Sequence, residues 1–385
     1  MAVNIWLKWK GRGDSDGEAV YLSHKTHRMT SNRWLLPFLL IPGLCTAQNL
    51  AISGKVRDAA TGLPLSGASV FCQNTTFGTT ANAEGAFRLV VPEGGYDLVV
   101  TYNGYETHSG RLGRNEDATR DLDIALKMKD NSLEAVSIVA SNEVKDGWEK
   151  YGSLFRDLFL GMTANSEKCT LENPEALKFL YYRKRDKLKV VGREPVRVAN
   201  RALGYRVRYE LDSFVHEFGN GNTESAVFAF YEEMEGTETE KAAWKKARED
   251  AYYGSMLHFM RCYYDSTLGG NGYRMNLIDP VTDKSRLVQN PYDSNAYRKL
   301  ETGELVLAGK GKLRVAYTME SPERKYLEKS GLSDQNTIQV SIIEFPEEIV
   351  IEENGYFYDQ RSVLVLGYWA WEKLADRLPY DYDPD

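Results

Sequence analysis

Between residues 50 and 127 the chain runs through short period-two segments with no helical period among them, and this pattern constrains the fold most. Ile52, Gly54 and Val56 alternate with Ser53, Lys55 and Arg57, the mark of a half-buried strand. Asp58 to Leu65 reads as a turn and its exit, and Gly67-Ala68-Ser69-Val70-Phe71 begins a second strand. Phe87, Leu89 and Val91 alternate in a third, closed by Pro92-Glu93-Gly94-Gly95. Tyr96, Leu98 and Val100 alternate in a fourth, ended by Asn103-Gly104. Strands so spaced, with turn residues between them, predict a small antiparallel sandwich of about seven strands.

The run Gly54-x-Val56-x-Asp58-x-x-Thr61-Gly62-x-Pro64-Leu65-x-Gly67-Ala68-x-Val70 resembles the carboxypeptidase-like regulatory domain, a transthyretin/Ig-like sandwich. Gly78-Thr79-Thr80, Gly85-x-Phe87, Tyr96-x-Leu98-x-Val100 and Gly104-Tyr105-Glu106 continue the likeness. Ala81-Asn82 stands where that pattern has Thr-Asp, and Asn can make the same Asx-turn. The resemblance implies a fold and no chemistry. A metallocarboxypeptidase needs three zinc ligands and an activated water. His108, His216 and His258 lack a Glu three positions on and a second His at i+4. No metal, no cofactor and no enzymatic activity are therefore expected.

Upstream, Met29 to Arg33, the apolar run Trp34–Leu44 and Cys45-Thr46-Ala47 have the three parts of a secretory signal peptide. The run is too short for a membrane helix, which needs about 20 residues, and Pro37 and Pro42 interrupt it. A buried core segment is its bland alternative. Cys45 raises a lipoprotein reading, but Leu44 stands where that signal needs a small residue. Cleavage after Ala47 is expected, with Met29 as the initiator, since residues 1–28 resemble no targeting segment. The product would be exported to the periplasm or the outer-membrane periphery. No later segment is apolar enough to cross a membrane as a helix.

A net charge of −7 argues against nucleic acid as partner, because that affinity comes from clustered Lys and Arg. Three dispersed cysteines, Cys72, Cys169 and Cys262, make no disulfide framework and read as buried thiols.

The expected organisation is a leader (29–47), the sandwich (48–127), a linker (128–147), a larger β-rich α+β domain (148–379) and a frayed tail (380–385). Leu133 to Val139 is similar to the strand that follows this sandwich in outer-membrane receptors energised from the inner membrane. Trp148 to Phe159 reads as a helix capped at Gly161, and alternating segments from Leu177 to Ile351 read as strands. Trp371, Leu374, Ala375 and Leu378 give one apolar helical face. Phe159-Leu160-Gly161-x-Thr163, Asn173-Pro174-Glu175, Ala202-Leu203-Gly204-Tyr205 and Gly367 to Asp376 resemble Bacteroidetes-type envelope proteins. Those join the same sandwich to one β-rich domain.

A helix is expected over about 240–263. At 100° per residue, Trp244, Arg248, Ala251, Ser255, His258 and Cys262 share one side, with Tyr252, Met256 and Phe259 beside them. Inward polar groups need partners, so this stripe is either a polar network pinning the helix or the wall of a ligand pocket. In the second case Trp244, Arg248, Tyr252, Ser255 and His258 would hold the ligand. Ser255 and His258 are poorly placed as nucleophile and base. The leading expectation is an exported, non-catalytic envelope protein that binds or scaffolds an unknown envelope partner. The alternatives are a glycan-binding accessory protein, drawn from 24 Tyr and a 12% aromatic content, and a hydrolase of unfamiliar type using His258.

Overall fold

A computed structural model describes residues 49–112, 121–129, 142–279, 282–294, 296–307, 311–345 and 347–384. The expected leader, Cys45, residues 1–28 and the receptor-like segment at 133–139 lie outside the described residues. The described residues are mainly β and belong to one unit, Ala47–Asp385.

Seven strands make the N-terminal sandwich: β1 (Asn49–Asp58), β2 (Ser69–Cys72), β3 (Gly78–Thr80), β4 (Ala86–Pro92), β5 (Tyr96–Thr101), β6 (His108–Leu112) and β7 (Asp121–Leu126). One sheet has the order β4-β1-β7 and the other β3-β2-β5-β6. β7 joins β1 in parallel, Ser53 opposite Asp121, whereas the other pairs are antiparallel. The alternating Val56, Val70, Leu89, Val91, Leu98, Val100 and Leu126 meet between the sheets. Asp58 fixes the first turn. Its Oδ1 accepts from the Ala60 and Thr61 N–H groups at 2.8 and 2.7 Å, and its Oδ2 accepts from Tyr105 Oη at 2.7 Å. Asn82 makes the Asx-turn, accepting from Glu84 and Ala86 N–H groups at 3.1 and 2.8 Å.

Alternation should leave Phe71 and Val99 on the outer face of that second sheet. Both are buried there, against Phe228 and Phe230 from the next part of the chain.

That part begins with α1 (Gly147–Phe159), whose Phe155 and Phe159 pack on Phe214 and Tyr209, and the single turn α2 (Ala164–Glu167). β8 (Cys169–Leu171), β9 (Leu177–Tyr182), β10 (Lys187–Gly192), β11 (Val196–Asn200), β12 (Tyr205–Glu217) and β13 (Thr223–Glu233) form a six-stranded sheet. The long β12 pairs with β11 and then β10 along one edge, and with β13 along the other.

Two helices follow, α3 (Glu238–Tyr252) and α4 (Met256–Tyr264). Next come β14 (Tyr273–Ile278), β15 (Ser285–Leu287), β16 (Tyr297–Lys299), β17 (Leu305–Leu307) and β18 (Gly311–Tyr317). They are followed by α5 (Arg324–Ser330), β19 (Gln339–Phe345), β20 (Ile349–Ile351), β21 (Leu364–Gly367) and α6 (Tyr368–Trp371). Their sheets run β15-β14-β18-β19-β21 and β16-β17-β20, closing on Phe259, Met260 and Tyr263 of α4.

Two expectations need correction. The segment at 240–263 is two helices, because Gly254 takes φ +87° and Ser255 starts the second by accepting from the His258 N–H at 3.1 Å. The apolar residues 371–378 are buried, but the helix stops at Trp371. Leu374, Ala375 and Leu378 lie in irregular backbone, which distant partners hold at Leu374 and Ala375. The Ala375 N–H donates to Leu160 O at 3.1 Å, and Asn200 Nδ2 donates to Ala375 O at 2.8 Å.

Candidate binding clefts around the helix break and the C-terminal tail

The break at Gly254 divides the expected stripe. Trp244, Arg248 and Tyr252 lie on α3, Ser255 caps α4, and His258 and Cys262 lie on α4. Trp244 covers Gly204, where a Cβ would stand 2.3 Å from the indole, and its Nε1 donates to Arg201 O at 3.0 Å. Arg248 Nε donates to Leu203 O at 2.7 Å, Nη2 to Gly204 O at 3.3 Å, and Nη1 meets Glu233 at 3.0 Å. Its guanidinium also lies 3.9 Å from the Tyr205 ring centre. Each nitrogen of Arg248 thus bonds the adjoining sheet. Trp244 and Arg248 line a cleft of about 470 Å³ with Glu233, Lys241, Lys245, Thr76 and Asp381.

Tyr252 and His258 touch, their ring centres 4.9 Å apart. His258 is 4% exposed, and its Nδ1 accepts from the Gly254 N–H at 3.3 Å with Tyr273 Oη at 3.0 Å. Burial pulls its pKa down to about 4, so the ring is neutral near pH 7. Ser255 Oγ serves the helix cap, and the Ser255–His258 contact is a backbone N–H bond, not a nucleophile–base pair.

A second cleft, about 440 Å³, is lined by Met256, Leu257, Met260, Phe357 and Trp369 with Ser255, Glu372, Lys373 and Asp376. Lys373 Nζ donates to Leu158 O at 2.9 Å. Asp376 accepts from Thr163 Oγ1 at 2.8 Å and Asn165 Nδ2 at 2.9 Å, and burial still pushes its carboxyl up to about 6. Burial also raises Glu372, with Asp376 adding to the effect. Near pH 7 Asp376 is therefore mainly a carboxylate that accepts hydrogen bonds, whereas Glu372 is held toward its neutral form and can donate one; without an activated nucleophile the pair specifies no reaction.

The tail was expected to fray, and here too the structure differs. The Tyr380 N–H donates to Asn74 O at 2.7 Å, while the Asn74 N–H donates to Ala229 O at 2.8 Å. The Tyr231 N–H donates to Thr75 O at 3.0 Å, and Asp381 accepts from the Thr76 N–H at 2.9 Å and from its hydroxyl. Asn74 reaches this geometry at φ +55°, a left-handed conformation that Asn tolerates. Residues 74–76 of the sandwich are therefore clasped between β13 and the C-terminal tail.

With this geometry in place, the family comparison decides the first part of the chain. Residues 52–138 match the model of the CarboxypepD_reg-like domain family. The N-terminal sandwich is a CarboxypepD_reg-like domain. One curated relative, TonB-dependent receptor P3 of Formosa agariphila, is 25% identical over 124 residues, which are 32% of this chain and 12% of that protein. The chain thus matches only a small part of that relative's length. Among solved structures, a protein of unknown function from Bacteroides fragilis aligns with 78% of this chain and 96% of its own, at 9% identity and a TM-score of 0.18. A 9R-lipoxygenase from Cyanothece aligns with 58% of this chain and 49% of its own, at 10% identity and a TM-score of 0.16. At those scores neither bears on the fold.

Within the CarboxypepD_reg-like domain and beyond it the described thiols are held in their neutral form. Cys72, Cys169 and Cys262 are unpaired and buried, and burial raises Cys169 to about 12 and Cys262 to about 11. Among the described residues no group of three or more His, Cys, Asp or Glu side chains is arranged to hold a metal, and no helix is long and apolar enough to cross a membrane. Sequence reasoning missed the Asn74-Thr75-Thr76 clasp and Asp381. The usable signal was Val99, an apolar residue on the side of β5 that alternation turns outward.

Proposed function

We propose that the protein is an exported, non-catalytic component of the bacterial envelope that works by presenting a stable surface to a partner. The observation that carries this reading is the clasp. Phe71 and Val99 of the CarboxypepD_reg-like domain are buried against Phe228 and Phe230, and the tail bonds to residues 74 and 76. A sandwich fastened this way is a fixed part of one body, which suits scaffolding better than a mobile accessory. The signal-like segment at 29–47 and the likeness to a TonB-dependent receptor support the envelope setting.

The residues of the stripe favour no turnover, since Arg248 and His258 are engaged by the protein itself. The glycan alternative draws less support. Among the described residues only Phe218 and Tyr253 are exposed large aromatics, so most of the aromatic content that motivated this alternative is turned inward.

The test is fractionation of cells carrying a C-terminally tagged chain. N-terminal sequencing of the envelope-associated protein should begin at Gln48, and affinity capture should recover a stoichiometric partner. Unprocessed protein in the cytoplasm would sink the export reading. Turnover by the purified chain that mutation of a cleft residue abolishes would sink the non-catalytic one.

A further inference from the structure

The six-stranded sheet ends on one side in two adjacent turns. Lys187 stands opposite both Tyr182 and Glu217, so the β9–β10 turn and the β12–β13 turn share that end. The Phe218 N–H donates to Asp186 O at 3.1 Å and joins the two. Asp186 closes the first turn at φ +46°. In the second, a Cβ on Gly219 or Gly221 would meet nothing within 4 Å, so the loop stands in open space.

This end carries an unusual set of side chains for a chain of net charge −7. Arg183, Lys184 and Arg185 are consecutive and exposed, and among the described residues none has a carboxylate within 4.0 Å. Of the neighbouring acids, Glu217 pairs with Lys187 at 2.6 Å and Asp186 accepts from Tyr181 Oη at 2.6 Å, which cancels no charge, so Arg183, Lys184, Arg185 and Lys187 outnumber the acids at these turns. Beside the cations Phe218 is 38% exposed, its back against Tyr181 and His216.

Cations alone would fit any soluble anion, and a strand-end cluster is ordinarily just solvated. The outward Phe218 ring distinguishes the candidates. A free phosphate or an inorganic polyphosphate offers it nothing, whereas the boundary between headgroups and acyl chains favours both an aromatic ring and nearby Lys and Arg. We propose that this tip docks the protein on an anionic phospholipid bilayer. Arg183, Lys184 and Arg185 lie at the headgroup phosphates and Phe218 at headgroup depth. The envelope reading says which membrane is met; the lipid contact itself does not depend on it.

Co-sedimentation of the purified chain with phosphatidylcholine vesicles, with and without phosphatidylglycerol, tests this directly. Binding should require phosphatidylglycerol and weaken as NaCl rises. The R183E/K184E/R185E variant should bind more than about tenfold more weakly, since each cation near an anionic surface contributes measurably. F218S should lower affinity several-fold while keeping the salt dependence. Melting temperatures close to that of the unaltered chain would show that both variants are folded, and K184E alone offers a milder second readout. Equal binding to neutral vesicles, no binding to anionic ones, or wild-type binding by the triple variant would overturn the proposal. So would full displacement by inorganic phosphate at matched ionic strength, which would assign the patch to a free anion. Unprocessed cytoplasmic protein that still binds these vesicles would end the export reading and leave this one standing.

Discussion

Asp381 accepts hydrogen bonds from both the backbone N–H and the hydroxyl of Thr76, a residue 305 positions earlier. A chain end that is acidic and rich in Tyr and Pro is thereby tied to the first sandwich. Bonds to a charged acceptor contribute about 1.5–3 kcal/mol when part-buried. Asp381→Ala should therefore lower unfolding stability by about 2 kcal/mol. Truncation after Pro379 also removes the Tyr380–Asn74 bond, and should split one urea transition into two as the sandwich loosens from the rest. A truncated chain that melts as the full one does would show that the clasp is idle.

Asp376 gives the pH response one sign. Burial raises its pKa to about 6 from 3.8, so between those values the folded chain holds a proton that the unfolded chain releases. Stability should fall as pH rises from about 4 to about 6, by at most about 3 kcal/mol. Asp376→Asn cannot ionise and should remove that fall. Urea midpoints for both proteins across the window are the check, and parallel curves would refute the assignment.

His258 gives the opposite sign. Burial lowers its pKa from 6.5 to about 4, so the unfolded chain gains a proton that the folded ring refuses. Its contribution is complete above about pH 6.5 and declines as pH drops toward 4, again by at most about 3 kcal/mol. His258→Phe should abolish that decline. Where the windows overlap the two groups offset each other, so each single variant should expose the slope of the other. An imidazole resonance that titrates near pH 6.5 in the native protein would rule out the buried neutral ring.

Much of the sandwich was legible because its core is made by alternation alone. Ile52, Val56, Leu89, Val91, Leu98 and Val100 are inward at the positions that period two assigns. Periodicity failed where long-range bonds replace local ones. Leu374, Ala375 and Leu378 carry a helical spacing, yet the backbone at Leu374 and Ala375 is held by Leu160, Asn200 and Tyr209. Period also cannot see a break, and Tyr253-Gly254-Ser255 interrupts the 240–263 stripe. A Cβ on Gly254 would stand 2.8 Å from the Tyr317 ring, and the Gly254 carbonyl accepts from Trp369 Nε1 at 2.7 Å. Two of the family-like motifs, by contrast, now have a packing reason: Leu160 and Thr163 of the first bond Ala375 and Asp376 of the last, and Asn165 and Asn200 outside them bond the same two residues.

Gly204 offers the sharpest test of that packing. It adopts φ +69°, and a Cβ there would lie 2.3 Å from Trp244 Cδ2, far inside contact distance. Gly204→Ala therefore costs twice: once for a left-handed alanine, about 1 kcal/mol, and once for displacing a buried indole from its bond to Arg201 O. A total loss of about 2–4 kcal/mol is expected. Trp244→Ala should also destabilise, because it empties a buried site. The double variant separates the terms. If the clash is with the indole, adding Gly204→Ala to Trp244→Ala should cost only the backbone part, and the two losses should fall short of additivity by more than about 1 kcal/mol. Full additivity in guanidinium melts would mean that Trp244 does not lie on Gly204.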